Sequence, residues 1–402
     1  MKRWKSIATV VLALGLSWGM AASVYAQVKE TSSGNKIEGV WISDQQEGPG
    51  TIYYSDGSRL EGFWRHGVME GSSISYETDG SRRIWTYFNG QANGLGVEIS
   101  KTGEATAGIW EDHAQKQDAS VQNWEDSNGT RYFAKDKKDI NEGWAIAIYT
   151  NDEVYVGEFY EGKRNGWGAL YDTDETWFMG SWKEDQLQGA GYFSFSKDSD
   201  ALHKSGFFEN GMFQGGTLQF NKDDSVSITW ENNNKADGPT IRISSDGTPV
   251  FYECKDGKVS NSNPDIYTDH DGCRFIGGTD GKSGFGLRLM KSGSVYIGGF
   301  KDMKPHGQGF FYWPTSKNLF QGTSKENIWT EGTLIWPHGS YYTGTFWDDK
   351  ANKMKTGTYR DFRKYEIGTC NAEGTFETGT RIRFNKDGST AKETYKDGQK
   401  QE

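Results

Sequence analysis

The chain has 402 residues, with 53 Gly, 16 Trp, 20 Tyr, 22 Phe, only 7 Pro and a formal net charge of −10. Collagen is excluded because glycine does not recur at every third position, and disorder is excluded because disordered chains are poor in aromatic residues. Three cysteines are too few for a disulfide-stapled scaffold, and the negative charge argues against nucleic-acid binding. The composition therefore predicts a glycine- and aromatic-rich β protein with internal repeats.

The N-terminal segment has the features of a secretory signal peptide. A basic start at Lys2, Arg3 and Lys5 precedes an apolar run over residues 7–16, and small residues lead up to Ala26. The apolar run is shorter than the roughly 20 residues that a membrane-spanning helix needs. We therefore expect cleavage after Ala26, no stable membrane insertion, and a mature protein that is periplasmic or extracellular.

Glycines recur along the chain with a period of 23 residues. The series are Gly48, Gly71 and Gly94, then Gly143, Gly166 and Gly189, and later Gly284 and Gly307. Trp41 and Trp64 are separated by the same interval. A fixed period of this length indicates a repeat architecture in which each repeat is one supersecondary unit.

One repeat is clearest over residues 155–171. Tyr155, Gly157 and Phe159 alternate and so share one face of a strand, and the segment from Gly162 to Gly166 has turn chemistry. Each unit is therefore expected to be a β-hairpin. Because a lone hairpin is marginally stable, neighbouring hairpins must bury each other's aromatic side chains. The predicted fold is all-β, an elongated, twisted, single-layer antiparallel sheet of stacked hairpins.

This segment and residues 296–313 resemble the MORN repeat, whose pattern is Tyr-x-Gly-x-Trp, then Gly-Lys-x-x-Gly-x-Gly, a short apolar strand and Asp-Gly. The resemblance extends over about residues 37–398, although Phe159 and Phe300 replace the Trp of the pattern. It implies a non-enzymatic interaction or scaffold protein whose extended surface holds a protein partner or a second copy of itself. Eukaryotic members of the family are often linked to phosphoinositide lipids, which makes lipid-headgroup binding a lower-ranked alternative because the chain is acidic.

The repeat pattern divides the chain into seven segments. They are a signal peptide (1–26), a polar N-terminal lead (27–36), MORN-like repeats (37–110), a degenerate repeat or loop (111–141), MORN-like repeats (142–258), a loop (259–272), and MORN-like repeats with a polar C-terminal end (273–402). Because the glycine phase recovers after both interruptions, we expect them to be decorated repeats within one array rather than linkers between subdomains.

A search for catalytic, cofactor or metal motifs predicts none. Residues 277–283 are one residue short of a phosphate-binding loop and lead into a strand, where the motif requires a helix. Residues 269–273 are rich in ligand-type side chains but lack the spacing of a zinc site or an EF-hand loop. The sequence therefore predicts no enzyme and no cofactor, and a glycan or ester hydrolase ranks last among the alternatives.

The three cysteines enter an oxidising compartment if the protein is exported. Cys254 and Cys273 flank the loop at 259–272 and could form a disulfide, which would leave Cys370 over. Sequence alone does not choose among the three possible pairings.

Aromatic side chains also occur on the strand face opposite the glycines. Trp167 and Tyr171 oppose Gly166 and Gly168, and Phe310 and Tyr312 point away from the face of Phe311. Such rings either pack against adjacent hairpins or form an exposed strip that binds a partner. In the second case Trp167, Tyr171, Phe310 and Tyr312 are the candidate binding residues, and stacking on a carbohydrate or cell-wall glycan becomes the alternative to a protein partner.

Overall fold

The computed structural model describes residues 25–42, 44–116, 120–277, 283–346, 353–361, 364–372, 375–384 and 390–401. These residues form three antiparallel sheets of consecutive hairpins, with ten, thirteen and thirteen strands in chain order. One short 3-10 turn, Lys137–Ile140, lies near the start of the second sheet. The all-β prediction of stacked antiparallel hairpins is confirmed.

The first sheet contains β1 (Tyr25–Glu30), β2 (Lys36–Ile42), β3 (Gln45–Tyr53), β4 (Arg59–Arg65), β5 (Val68–Tyr76), β6 (Arg82–Phe88), β7 (Gln91–Ala92), β8 (Gly94–Ile99), β9 (Ala105–Glu111) and β10 (Ala114–Gln115). The second sheet contains β11 (Gln122–Glu125), β12 (Arg131–Ala134), β13 (Glu142–Ile148), β14 (Val154–Tyr160), β15 (Lys163–Tyr171), β16 (Trp177–Lys183), β17 (Gln186–Ser194), β18 (Ala201–Glu209), β19 (Met212–Asn221), β20 (Val226–Asn232), β21 (Lys235–Ile243), β22 (Pro249–Lys255) and β23 (Lys258–Asn261).

The third sheet contains β24 (Tyr267–Thr268), β25 (Arg274–Gly277), β26 (Gly284–Leu289), β27 (Val295–Lys301), β28 (Lys304–Tyr312), β29 (Leu319–Lys325), β30 (Ile328–Ile335), β31 (Tyr341–Phe346), β32 (Met354–Arg360), β33 (Lys364–Cys370), β34 (Phe376–Phe384), β35 (Thr390–Lys396) and β36 (Gln399–Lys400). The boundaries between sheets fall at residues 116–121 and 262–266, inside the two interruptions seen in the sequence.

The glycine period marks a local feature of each hairpin. In the hairpin of β14 and β15 the connecting turn is Glu161–Gly162, and the pairing then shifts register between Gly157 and Phe159. Gly166 lies in this bulge with φ +91°, a left-handed backbone that favours glycine. Gly48, Gly71, Gly94, Gly189, Gly215 and Gly307 also have φ between +77° and +89°. These members of the 23-residue series therefore mark where a hairpin bends, whereas Gly143 belongs to the series without a left-handed φ.

Each sheet has two different faces, which we call the glycine face and the core face. In the second sheet the glycine face carries Gly157 and Gly168 under an aromatic cluster that includes Tyr155. The core face carries Val156 and Ala169, which are both fully buried. This alternation follows from the period-2 geometry of a strand.

The core faces of the three sheets meet in one shared hydrophobic core. Its members include Val40, Phe63 and Ile74 of the first sheet, Val156, Ala169 and Met179 of the second, and Leu287, Ile297 and Phe310 of the third. Each sheet is itself a single layer, as predicted, but the array is divided into three such layers. Burying aliphatic surface against two other sheets supplies a driving force that a lone sheet would lack.

Polar contacts also join the sheets. The first and second sheets are linked by the hydrogen bonds Tyr171–Ser72 at 3.3 Å and Arg82–Asp152 at 3.0 Å. The second and third are linked by Gly216 N–Gln321 Oε1 at 2.9 Å and by Arg360–Glu158. The first and third are linked by Lys317, which donates to the carbonyl oxygen of Trp41. Within the described ranges, no helix has the length and apolar character that crossing a bilayer requires.

Candidate functional site: a groove on the glycine face of the third sheet

On the glycine faces of the second and third sheets, aromatic rings lie directly over paired glycines. A Cβ added to Gly168 would come within 2.5 Å of Cζ of Tyr155, and one added to Gly309 would come within 2.5 Å of Cε2 of Tyr296. The ring residue precedes the glycine of its own strand by two positions. The five instances are Tyr155–Gly157, Phe178–Gly180, Tyr296–Gly298, Phe320–Gly322 and Tyr342–Gly344.

In four of these strands a second aromatic residue, four positions after the first, supports the covering ring edge-on. The pairs are Tyr155–Phe159 (5.1 Å between centroids, 89°), Phe178–Trp182 (5.4 Å, 85°), Tyr296–Phe300 (4.9 Å, 84°) and Tyr342–Phe346 (5.2 Å, 79°). This edge-to-face arrangement is favourable for aromatic pairs. A ring with its edge partner is therefore the standard cover of a glycine pair in this fold.

Strand β33 departs from this arrangement at both positions. The residue two before Gly368 is Glu366, and the residue four after Glu366 is Cys370. Gly368 is paired with Gly357 on one side and with Gly379 on the other. Among the described residues, the three atoms nearest to a Cβ added at any of these glycines are backbone atoms rather than atoms of a covering ring.

The result is an open groove of about 350 Å³. Gly357 and Gly368 form part of its floor. The remaining lining residues are Tyr342, Met354, Tyr359, Lys364, Glu366, Cys370, Thr375, Phe376 and Arg381. A concave, largely apolar site of this size with a few polar groups is typical of ligand pockets.

Ion pairs hold the Glu366 side chain away from the glycines. Its carboxylate accepts a hydrogen bond from Nε of Arg381 at 2.5 Å and another from Nζ of Lys364 at 3.0 Å. Arg381 lies directly opposite Glu366 in the strand register, and its guanidinium also donates to the hydroxyl of Tyr395 at 2.7 Å. Among the lining side chains two cations therefore face one carboxylate, and Glu377, outside the lining, adds a second negative charge that acts on Cys370.

The aromatic walls are oriented by their hydroxyl groups. Tyr342 donates to the carbonyl oxygen of Thr345 at 2.7 Å, and Tyr359 contacts the carboxylate of Asp361 at 3.1 Å. Burial raises the pKa of Tyr342 to about 12. Burial, together with Glu366 and Glu377, raises the pKa of the Cys370 thiol to about 11, so this thiol stays protonated at neutral pH. The groove thus presents neutral rings beside one ionic cluster.

The aromatic residues predicted as an exposed binding strip are instead buried. Trp167, Tyr171, Phe310 and Tyr312 are 3%, 1%, 0% and 1% exposed, and all four belong to the core that the three sheets share. Their position opposite the glycine face was predicted correctly, since Phe311 lies in the aromatic cluster of the glycine face. Of the two alternatives, the exposed strip was wrong, because a second sheet covers this face.

The predicted disulfide is not formed. Cys254 and Cys273 are free thiols, as is Cys370. Cys254 lies on β22 of the second sheet, where Thr240 Oγ1 is 3.6 Å from its sulfur. Cys273 precedes β25 of the third sheet, and its sulfur is 3.4 Å from a guanidinium nitrogen of Arg288. The two thiols therefore belong to different sheets and have separate surroundings.

The acidic cluster at residues 269–273 acts as a turn. Asp269 is 8% exposed, accepts the backbone N–H of Cys273 at 2.8 Å and lies 3.3 Å from the guanidinium of Arg288. Most of the segment that looked like a phosphate loop, residues 278–282, lies outside the described residues. In the part of the chain that the structure describes, no three His, Cys, Asp or Glu side chains come together as metal ligands.

The predicted signal peptide also falls largely outside the described residues, which begin at residue 25. Ala26 lies in β1, where it is paired with Val40 of β2. Cleavage after Ala26 therefore remains a prediction.

The groove itself was missed at the sequence level, although its signal is present. Aligning the strands on their first glycine places Glu366 at the position of Tyr155, Tyr296 and Tyr342. Lys204 is a second charged residue at this position, two before Gly206, but β18 keeps Phe208 four positions later and Phe213 lies 3.4 Å from a Cβ added at Gly206. The signal in β33 is therefore the loss of both aromatic residues, at Glu366 and at Cys370.

These features define the molecule as a repeat protein built from stacked β-hairpins. The chain contains five MORN repeats: the family model described as "MORN repeat" matches residues 38–59, 86–104, 155–174, 178–199 and 296–317. Repeats of this family are generally protein-interaction modules, and their presence suggests a repeat-based binding or scaffold protein. No curated protein matches the sequence.

Solved structures align with the chain only loosely. A mutant of the TCP10 domain of Danio rerio CPAP aligns over 57% of this chain and 98% of its own, with 7% identity and a TM-score of 0.17. An inactive virginiamycin B lyase from Staphylococcus aureus with quinupristin aligns over 78% of this chain and 98% of its own, with 12% identity and a TM-score of 0.12. At these TM-scores neither similarity bears on function.

Proposed function

We propose that this chain is an exported, non-enzymatic scaffold that binds a protein partner through the groove of the third sheet. The observation that carries the proposal is the groove itself. It is a place on the described glycine face of the third sheet where the aromatic residues that cover glycines elsewhere are replaced by Glu366 and Cys370 and a cavity of ligand size opens. The charged N-terminus followed by an apolar run supports export to the periplasm or the extracellular space.

The chemistry of the groove favours binding of a protein partner over catalysis. The groove's carboxylate is paired with two cations, and its thiol has a raised pKa, so neither group is prepared to act as a base or a nucleophile. Exposed apolar surface beside charged groups is the usual composition of a binding site. Self-association would place a second copy of the chain in the same groove.

Crosslinking from the groove inside the producing cell tests this proposal. A photoreactive amino acid at Thr375, an exposed residue on the groove's rim, should capture one defined protein, which mass spectrometry then identifies. The same group at Val250, which is 39% exposed on the second sheet, is the matched control. Capture of the same proteins from both positions, or of none from Thr375, would contradict the proposal.

Export is tested separately by fractionation and N-terminal sequencing. The mature chain is expected outside the cytoplasm and should begin at Gln27. A protein retained in the cytoplasm with Met1 intact would contradict this part of the proposal while leaving the groove assignment open to its own test.

A glycan is the second candidate occupant of the groove. The groove residues are now the only support for this candidate. Tyr359 and Phe376 offer ring faces beside Glu366 and Arg381, which is the combination of stacking and hydrogen bonding that sugars use. The residues first suggested for this role, Trp167 and Tyr312, are in the core and cannot contact a glycan. Binding of a cell-wall oligosaccharide by the groove would replace the protein partner in the proposal.

A further inference from the structure

The groove resembles a cavity from which one of the chain's own rings has been removed. Over Gly157 and Gly168 the chain places Tyr155, and over Gly298 and Gly309 it places Tyr296. Over Gly368 and Gly379 the equivalent residue is Glu366, whose carboxylate is directed to Arg381 and Lys364. Gly368, which lies in the floor of the groove, is therefore retained, whereas the ring that lies on the equivalent glycine elsewhere is missing.

The edge partner is missing as well. Where Phe159, Trp182, Phe300 and Phe346 support the covering ring in other strands, β33 has Cys370. A cysteine side chain is much smaller than an aromatic one, so the space of two rings is open at this point. The walls that remain, Tyr342, Tyr359 and Phe376, are aromatic.

The geometry points to an aromatic side chain, Tyr or Phe, of a partner polypeptide as the occupant of this groove. A flat ring can lie on Gly368 as the rings of Tyr155 and Tyr296 lie on their glycines. Its edges can meet the rings of Tyr359 and Phe376 in the edge-to-face arrangement that the fold uses repeatedly. The partner's ring would share these two rings with Lys364 and Arg381, which lie 4.9 Å and 5.4 Å from the respective centroids. This inference rests on the proposed function and specifies the partner's chemistry.

The charged residues that line the groove indicate which partner residues would flank the bound ring. Lys364 and Arg381 outnumber Glu366 among the lining residues, and Arg381 also lies over the rings of Phe376 and Tyr395, with 5.4 Å and 4.4 Å to the centroids. An acidic residue adjacent to the partner's ring would meet this positive excess. A second copy of this chain is disfavoured as the occupant, because the net charge of −10 makes two copies repel each other.

A variant that restores the chain's own rings provides the test. In Glu366→Tyr/Cys370→Phe, the groove is filled by the pair of rings that the other strands carry. Ile367→Thr, an exposed position of the same strand on the opposite face, is the matched control. The probe is a random dodecapeptide library displayed on phage and selected on the purified protein, followed by affinity measurements with the selected peptides made synthetically.

The selected peptides should contain a Tyr or Phe next to an acidic residue. Their affinity should fall at least tenfold for Glu366→Tyr/Cys370→Phe, fall similarly when the peptide's ring is replaced by Ala, and stay unchanged for Ile367→Thr. If the double variant does not fold, Thr375→Trp, which obstructs the rim from an exposed position, should give the same loss. Peptides without aromatic residues, equal binding to the filled variant, or displacement by chitohexaose would overturn the inference.

The two proposals can fail separately. If a partner is captured from Thr375 and its binding is unaffected by filling the groove, the scaffold function stands and the inference of an aromatic occupant is refuted. If aromatic peptides are selected and the filled variant rejects them, but no protein is captured in the cell, the aromatic occupant is supported and the scaffold function is refuted.

Discussion

Tyr155 and Gly168 lie in contact across neighbouring strands, with the phenol ring of Tyr155 resting on the backbone of the glycine. A Cβ at Gly168 would be 2.5 Å from Cζ of this ring. Gly168→Ala should therefore displace the ring and destabilise the protein by about 1–3 kcal/mol, as overpacking does in other cores. Urea unfolding followed by tryptophan fluorescence measures this change.

The matched control for this prediction is Gly162→Asn in the turn of the same hairpin. Gly162 has φ +76° and no atom within 4 Å of an added Cβ, and asparagine tolerates the left-handed region. Its cost should stay below about 1 kcal/mol. Equal effects of the two substitutions would show that contact with the Tyr155 ring does not require glycine at position 168.

Trp167→Ala should act on the fold rather than on ligand binding. Trp167 is 3% exposed and stacks on Tyr341 of the third sheet, with 5.6 Å between ring centroids. Removing a buried Trp typically costs about 3–5 kcal/mol. Tyr160→Ala, at a residue that is 49% exposed on the neighbouring strand, should cost less than about 1 kcal/mol. A folded Trp167→Ala protein of unchanged stability would contradict this assignment.

The sequence predicted the hairpins and the direction of their side chains, because both depend on local geometry. Phe310 and Phe311 were correctly placed on opposite faces by the period-2 alternation of a strand. Whether a face is covered is not a local property. Trp167 is buried because Tyr341, far away in the chain, belongs to a sheet that packs on it, and no spacing between residues records that contact.

The groove could be predicted from the sequence only in part. Glu366 at an aromatic position can be recognised by aligning the repeats, so the missing ring was accessible to sequence reasoning. The ion pair that turns Glu366 toward Arg381 depends on the register of β33 and β34, which places the two residues directly opposite each other. Only the structure shows that, among the residues it describes, a cavity remains at this position.

The ion pair between Glu158 and Arg360 should matter more than an exposed pair. It joins the second and third sheets, and Arg360 is only 3% exposed. Burial raises the pKa of Glu158, and the guanidinium of Arg360 opposes that rise. Glu158→Gln removes the carboxylate from a buried cation and should cost about 3 kcal/mol in urea unfolding. The double variant Glu158→Gln/Arg360→Met should recover part of this loss, which a double-mutant cycle measures.

The comparison pair is Arg82 with Asp152, which joins the first and second sheets. The Asp152 side chain is 65% exposed, so Asp152→Asn should cost less than about 1 kcal/mol. If Glu158→Gln cost no more than Asp152→Asn, the buried pair would contribute no more to stability than an exposed one.

Glu61 should make the protein less stable as the pH rises. It is 1% exposed, with Arg59 Nε at 2.8 Å, and burial raises the pKa of its carboxyl to about 7 although Arg59 opposes the rise. A folded-state pKa above the unfolded value of about 4.5 gives a contribution that is complete below pH 4.5 and lost as the pH rises through 7. Glu61→Gln should therefore lose less unfolding free energy between pH 5 and pH 8 than the wild type. The control is Glu98→Gln, at a side chain that is 47% exposed, and its loss of unfolding free energy over this pH range should match that of the wild type.

His203 lies where the three sheets meet. It lines a cavity of about 20 Å³, room for about one water molecule, together with Glu47 of the first sheet and Lys317 of the third. The imidazole is 2% exposed, and neither ring nitrogen has a hydrogen-bond partner among the described protein groups. Burial lowers its pKa to about 3, so the folded protein holds this side chain neutral.

Acid should destabilise the protein through His203. Because its folded-state pKa lies below the unfolded value of about 6.5, its contribution to stability is complete above pH 6.5 and is lost as the pH falls toward 3. At pH 5 the loss is about 2 kcal/mol. His203→Phe should lose correspondingly less unfolding free energy between pH 7 and pH 5, although His338, with its pKa lowered to about 4 by burial, leaves a remainder. His270→Asn, at a side chain that is 91% exposed, is the control, and an unchanged pH dependence in His203→Phe would refute the assignment.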